Sequence, residues 1–255
     1  MNSRPRILLI NPNTTAGFTQ RIQHIAAEYA AAGTIVEAVN PQQGPRSIES
    51  IYDELLSAPA TLELVLQHEP HADAFVIACY SDHPVIYAAR EITTKPVVGI
   101  AEANMYMACM LGHKFSIVTT NREWEPLLWD AVHHYGLATR CASVRSTGLP
   151  VLALEEKSEA ETYALIHNMA QRAVAHDGAD VICLGCAGMS GMDKRLTAEL
   201  SVPVLDGVVC ALKFVEGMVH YGISTSKRLA YAKPEPKTLD NLPAIFATAY
   251  GNKAK

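Results

Sequence analysis

Short apolar runs bounded by turn residues alternate along this chain with longer segments of helical period. A strand buried on both faces reads as a continuous apolar run, so the alternation is that of a parallel sheet covered by helices on both sides. In the first half the runs predict strands over 6–11, 34–39, 73–79 and 96–100, with helices over 15–32, 50–68, 84–92 and 103–111. Gly33 ends the Ala-rich first helix, and Ser47 and Glu49 precede the second. The second half predicts strands over 115–119, 140–145, 180–185 and 202–205, and helices over 123–135, 155–176, 191–200 and 207–220.

The two halves also repeat each other. Ala72-Asp73-Ala74-Phe75-Val76-Ile77-Ala78-Cys79 aligns with Ala179-Asp180-Val181-Ile182-Cys183-Leu184-Gly185-Cys186 at an offset of 107 residues, and Lys95-Pro96-Val97-Val98 aligns with Val202-Pro203-Val204-Leu205 at the same offset. The same shift lays Arg6–Ile10 on His113–Ile117 and sets Asn13 opposite Thr120. A constant offset through strand, helix and strand implies two related half-domains. The fold expected is therefore α/β, with two pseudo-symmetric half-domains, each a four-stranded parallel sheet flanked by helices. Its ligand cleft lies between them, outside the carboxyl ends of the strands. Residues 1–112 with 207–222 are assigned to the first half-domain, 113–206 to the second, and 223–255 to a C-terminal arm. Lys233-Pro234-Glu235-Pro236-Lys237 is incompatible with regular helix or interior strand, and 239–250 is read as one more helix, packed on the body or on a neighbouring subunit.

Composition narrows the function. With 255 residues, 49% hydrophobic and 18% charged, the chain can bury a substantial core. A formal charge of −5 with scattered Lys and Arg offers no basic field, which argues against a nucleic-acid partner. Ile7-Leu8-Leu9-Ile10 is far shorter than a membrane span or signal-peptide core, so the expectation is a cytoplasmic protein with no membrane partner. The six cysteines sit mostly in apolar segments, as buried free thiols do in a reducing compartment. Cys183-x-x-Cys186 has the spacing of zinc or redox sites. Its first cysteine is inside a strand-like run, however, and no second ligand pair accompanies it, so no metal is expected.

The candidate chemistry gathers at strand ends. Cys186 lies in Leu184-Gly185-Cys186-Ala187-Gly188-Met189, where flanking glycines admit a substrate and free N–H groups at a helix start would lower a thiol's pKa. A small buried residue at a tight turn explains one such cysteine equally well; Cys79 at the repeat-related turn favours function. Asn11-Pro12-Asn13-Thr14-Thr15 caps the first helix, and Asn13 there can also hydrogen-bond a ligand, as can Thr119 and Thr120 in the other half. Gln43–Glu49 is a plain loop or a lid whose Ile48 presses on the ligand. His83, after Asp82, either modulates the Cys79 thiolate or caps a helix; His133 and His134 read as surface residues.

Three chemistries compete. A cysteine hydrolase would have a G-x-C-x-G elbow, which Gly185 and Gly188 do not form. A single-thiol lyase would not need Cys79. A racemase needs two acid/base groups on opposite faces of one carbon, which two symmetry-related thiols supply.

Several separated motifs now point the same way: Ile10–Thr15, Gly44-Pro45 with Ser47-Ile48-Glu49 and Asp53-Glu54, Pro96–Ala103, Ser116–Thr120, Leu184–Met189 and Pro203–Gly207. From about residue 6 to Lys227 the chain resembles the hydantoin racemase and allantoin racemase branch of the aspartate/glutamate racemase superfamily. Leu149–Glu155 and Leu205-Asp206-Gly207 lean towards the allantoin racemases. The resemblance implies an isomerase that works without cofactor or metal, as a homo-oligomer, on C5 of a small-molecule cyclic ureide, with Cys79 and Cys186 catalytic. It also implies ring contacts from Asn13, Thr119 or Thr120 and from the backbone after each cysteine, at Tyr80, Ser81, Gly185, Ala187 and Gly188; by their own positions Ile48 is read as a further ligand contact and Asp82 and His83 as modulators of Cys79. Family members commonly carry Phe, a small residue and Asp-Pro-Gly after the first cysteine; here Tyr80-Ser81-Asp82-His83-Pro84-Val85 stands instead, and the arm from Lys237 is longer than the family's. The runner-up is an isomerase or decarboxylase of a small carboxylic acid. A ureide-binding module without catalysis is the alternative from another class.

Overall fold

A computed structural model describes residues 4–250. The chain alternates strand and helix: β1 (Arg6–Ile10), α1 (Ala16–Tyr29), β2 (Ile35–Val39), α2 (Ile51–His68), β3 (Ala74–Ile77), α3 (Pro84–Ile92), β4 (Val97–Gly99) and α4 (Ile100–Leu111). The second half follows with β5 (Phe115–Thr119), α5 (Trp124–His134), β6 (Cys141–Ser146), α6 (Ala153–Glu156), α7 (Glu159–Asp177), β7 (Val181–Leu184), α8 (Asp193–Leu200), β8 (Val204–Asp206) and α9 (Gly207–Tyr221). The strands form two four-stranded sheets, ordered β2-β1-β3-β4 and β6-β5-β7-β8, and every pairing is parallel.

Alternation along each strand divides the core. Ile7 and Leu9 face a central cluster shared by both halves, whereas Leu8 and Ile10 face the layer under α2 and α3. Phe115 and Ile117 join the same central cluster, and Val118 faces the layer under α7 and α8. The central cluster is closed by a reciprocal crossing. Helix α9 lies on β1, β3 and β4, α4 lies on β5, β7 and β8, and the two helices pack together. Asn104 of α4 pins that junction: its Nδ2 donates to Leu205 O at 3.2 Å and its Oδ1 accepts from Tyr80 Oη at 3.0 Å.

Several element boundaries differ from the sequence expectation, each for a local reason. The fourth helix starts at Ile100 instead of 103, directly after β4, where Gly99 N–H is bound by Glu102. The single helix expected over 155–176 breaks at Lys157, because the Ser158–Glu161 capping box starts a new helix. The helix expected over 191–200 begins at Asp193 after a 3-10 turn at Ala187–Met189. The repeat is offset by 107 only from the third strand onward: Ile77 and Leu184 are 107 apart, but their strand partners Ile10 and Val118 are 108 apart. Asn13 is thus structurally opposite Asn121, not Thr120.

The C-terminal arm is extended, with Thr225 bonded through N and Oγ1 to the carbonyls of Thr94 and Lys95. The helix expected over 239–250 is a 3-10 segment, Ala244–Tyr250, lying on α2. Residues 251–255 of the arm and 1–3 of the first half-domain lie outside the described residues. Among the described residues no helix is long and apolar enough to cross a membrane.

Asn104→Ala should remove the two hydrogen bonds that tie the Tyr80 hydroxyl and the Leu205 carbonyl to α4, at a cost of about 1–3 kcal/mol. Urea unfolding of the variant beside the parent protein measures it.

Candidate active site

Cys79 and Cys186 each stand two residues past the carboxyl end of a central strand of their own sheet, β3 and β7. Ala78 N–H donates to Ile10 O at 2.8 Å and Gly185 N–H to Val118 O at 2.8 Å, so the two turns leave their sheets in the same way. These ends face each other across one cleft, whose space free of protein atoms is about 450 Å³ when the solvent at its open mouth is counted. Both cysteines line it, with Asn11, Asn13, Ile48, Tyr80 and Thr120, the backbone of Gly185, Ala187 and Gly188, and apolar walls from Phe18, Trp124 and Val151.

The remaining expected site residues stand behind this wall. The Thr119 hydroxyl donates to Gly185 O at 3.2 Å, so it braces the second cysteine turn instead of facing the cavity. Ser81 is buried beneath the first turn, its Oγ 3.4 Å from Cys79 Sγ. Asp82 accepts from Tyr87 Oη at 2.5 Å and Tyr135 Oη at 2.9 Å, and its other oxygen lies 3.0 Å from His134 Nδ1; it ties the first half to α5 of the second. His134, read as a plain surface residue, is part of that tie.

His83 caps α3: its Nδ1 accepts from Val85 N–H at 3.3 Å, and its Nε2 meets Ser57 Oγ at 3.0 Å. Ser57 donates its own proton to Glu54 O at 2.8 Å, which assigns the proton of His83 to Nε2. Burial holds this ring neutral, with its pKa lowered to about 4.

The thiols depart from expectation. The Cys186 environment does contain the anticipated donor, Gly188 N–H at 3.4 Å from Sγ, and Arg21, bonded to Gly188 O, adds a favourable charge. Burial outweighs both and pushes this thiol up to about 11. The turn after Cys186 is one 3-10 turn and not the start of a helix, so it lacks a full helix terminus to offset desolvation. Burial, and after it the Glu54 carboxylate, push Cys79 well above the ordinary thiol value; Ser81 pulls against this and Cys186 adds to it.

Asn13 keeps both of its roles open. Its Oδ1 accepts from Asn11 Nδ2 at 3.0 Å and Thr15 N–H at 2.9 Å, while its Nδ2 has no partner among the described residues. Sequence reasoning missed Arg21, Glu54, Phe18, Trp124 and Val151, because the helix or loop that carries each is brought to the cleft only by folding. Among the described residues no three His, Cys, Asp or Glu side chains are grouped as metal ligands, and all six cysteines are free.

Residues 7–215 match the family model described as Asp/Glu/Hydantoin racemase. A hydantoin racemase of Pseudomonas sp. (strain NS671) is 46% identical over 233 residues, covering 91% of this chain and 93% of that protein. The chain belongs to the Asp/Glu/Hydantoin racemase family. It is accordingly an isomerase of the racemase type, and its architecture is shared with solved relatives. The structure of allantoin racemase from Klebsiella pneumoniae superposes with a TM-score of 0.91 at 42% identity, covering 96% of this chain and 98% of that one. Allantoin racemase from Pseudomonas fluorescens gives 0.89 at 39% identity, covering 92% and 100%.

Two measurements probe this site. A Cβ on Gly185 would lie 2.8 Å from Val118 O and 2.9 Å from Ile117 Cγ2, so Gly185→Ala should cost roughly 1–3 kcal/mol by overpacking and displace Cys186. Denaturant unfolding and racemisation rate read the two effects. For His83 the folded pKa lies below the unfolded one, so the unfolded state binds the extra proton as pH falls. Stability on the order of 3 kcal/mol should be lost between about pH 6.5 and 4 and level off below. Unfolding at pH values across that window should show this loss in the parent and not in His83→Gln.

Proposed function

We propose that this chain inverts the C5 stereocentre of a hydantoin-type cyclic ureide, allantoin or a 5-substituted hydantoin, by proton transfer between two thiols. The observation that carries the reading is that Cys79 and Cys186, from repeat-related turns, line one cavity. One sulfur removes the C5 proton as thiolate while the thiol opposite delivers its own proton to the other face, and the roles exchange for the other enantiomer. The ring carbonyl beside C5 makes the carbanion an enolate, so the step needs neither a metal nor an electron-sink cofactor.

The cavity offers what such an enolate requires. The backbone N–H groups of Tyr80 and Ala187 have no partner among the described residues and are donors for developing negative charge on oxygen. Asn13 Nδ2 and the Thr120 hydroxyl are neutral groups suited to ring amides, while Phe18, Ile48, Trp124 and Val151 supply apolar surface for the ring and its substituent. The names of the relatives, hydantoin racemase and allantoin racemase, support the same ring class. The partner is thus a small molecule. We also take the chain to act as a homo-oligomer; exposed Ile51, Tyr52, Leu55 and Leu56 on α2 suit contact between copies.

Single enantiomers of allantoin and of 5-alkyl hydantoins, incubated in heavy water, should lose optical rotation and take up deuterium at C5. Unchanged rotation and no uptake across the panel would remove the proposal. Cys79→Ser and Cys186→Ser should each lower racemisation by a factor of 10³ or more, roughly the effect of losing a positioned acid or base. Tight ureide binding that neither substitution affects, without exchange in the parent protein, would mark a binding module instead.

A further inference from the structure

Glu54 is a carboxylate that the fold buries with one of its oxygens unpartnered. It sits in the first turn of α2, a place where acidic side chains normally stay in water and favour the helix dipole. Its neighbour Asp53 already does that work: Asp53 Oδ2 accepts from Glu49 N–H at 3.0 Å and from Ser50 Oγ at 2.9 Å. Glu54 turns inward. It is only 7% exposed, and its Oε1 is buried with no hydrogen-bond partner. A buried carboxylate oxygen without a partner is costly, and such an atom calls for a reason.

The surroundings supply one. The Ser81 hydroxyl neighbours the Glu54 carboxylate on one side and Cys79 Sγ, 3.4 Å away, on the other. Ser81 has one proton to give, and its Oγ lies within hydrogen-bond reach of the sulfur while Glu54 Oε1 has no partner. Rotated, the same hydroxyl would serve the carboxylate and accept from the thiol. The other charged or titratable groups facing Glu54 come from the β3–α3 turn: Asp82, which repels its charge, and the neutral His83, reached through Ser57 on the same helix face. The two cysteines are thus served unequally. Cys186 has an N–H donor and the field of Arg21 set against that of Glu49, whereas Cys79 has the buried acid Glu54.

We propose that Glu54 accepts the Cys79 proton through the Ser81 hydroxyl, so that the first thiol ionises by exchanging charge with a buried carboxylate instead of releasing a proton to water. The S–H bond of Cys79 breaks as Ser81 Oγ takes the proton, and the electron pair stays on sulfur. The original Ser81 O–H bond breaks as its proton passes to Glu54 Oε1. Thiol plus carboxylate becomes thiolate plus carboxylic acid, and the net charge of the buried group does not change. That matters because creating a second anion in this desolvated place is what both burial and the neighbouring carboxylate oppose. Glu54 acts through Cys79 and is a positioning residue for the proton; its role in turnover rests on the racemase reading above.

The test reads the thiol itself and needs no substrate: iodoacetamide alkylation of Cys79 and Cys186, quantified peptide by peptide across pH, for the parent, Glu54→Gln, Glu54→Asp and Ser81→Ala. A shared proton gives two tautomers of equal charge, so in the parent Cys79 alkylation should flatten to a plateau on the acid side instead of falling roughly tenfold per pH unit. Glu54→Gln and Ser81→Ala should each abolish the plateau and slow Cys79 alkylation at about pH 6 by at least tenfold, with Cys186 unchanged within about twofold. Glu54→Asp should restore part of it. A carboxylate that merely repels the thiolate gives the opposite sign, faster Cys79 alkylation in Glu54→Gln, and that result overturns the proposal. So does equal acceleration at both cysteines, the mark of a loosened fold. In a racemisation assay Glu54→Gln should lower kcat at least tenfold with KM within about twofold. A plateau at Cys79 with no ureide racemised would reject the substrate reading alone; racemisation without the plateau would reject the relay alone.

Discussion

Burial holds both thiols of this shared cavity towards their neutral forms, and charge on Cys186 raises Cys79 further, so a second thiolate beside a first is opposed twice. The rest of the site follows from that restriction. In the proposed reaction a pair holding one proton passes it across the ligand, the charged and uncharged members exchanging identities without changing the total. It also explains why the two turns are furnished differently around matching sulfurs, with Arg21 and the Gly188 N–H beside Cys186 and with Ser81 and Glu54 beside Cys79.

The fold delivers this pair through topology. In a parallel sheet all carboxyl ends point the same way, so a duplicated βα arrangement turned on itself brings two equivalent strand ends to one place. The reciprocal crossing of α4 and α9 makes the two sheets a single body around a common apolar centre. Polar bonds then fix the register of one half on the other. Asn104 joins Tyr80, next to the first cysteine, to Leu205 in the second sheet, and Asp82 reaches Tyr135 and His134. Asp206 accepts from Gly191 N–H at 3.0 Å and Val208 N–H at 2.8 Å, tying the segment after Cys186 to the start of α9.

Much of the fold was legible in the residue pattern because the strands are short, apolar and bounded, and because the repeat ties each half to the other. Less visible were features that depend on one competing local interaction. The Ser158–Glu161 capping box splits what reads as one helical stretch, and the tight β4–α4 junction at Gly99 moves a helix start. Of the site, Cys79, Cys186, Asn13, Ile48, Tyr80 and Thr120 were found at strand ends or in the one long loop and reach the cavity. Thr119 and Ser81 were found too but stand behind it, since adjacent residues at a strand end or turn point to different sides.

The sequence by itself determined the layered α/β architecture, the duplication and the paired cysteines, because these are written in periodicity and spacing, which need no knowledge of neighbours in space. Only the tertiary structure decided how the thiols behave. Desolvation belongs to the assembled cavity and not to the turn that carries the cysteine, so it reversed the lowered pKa expected for Cys186. Folding likewise brought Glu54, a motif residue with no assigned role along α2, beside a sulfur from another element. Proximity and exclusion of water are properties of the packed chain, and they set the chemistry that composition and spacing leave open.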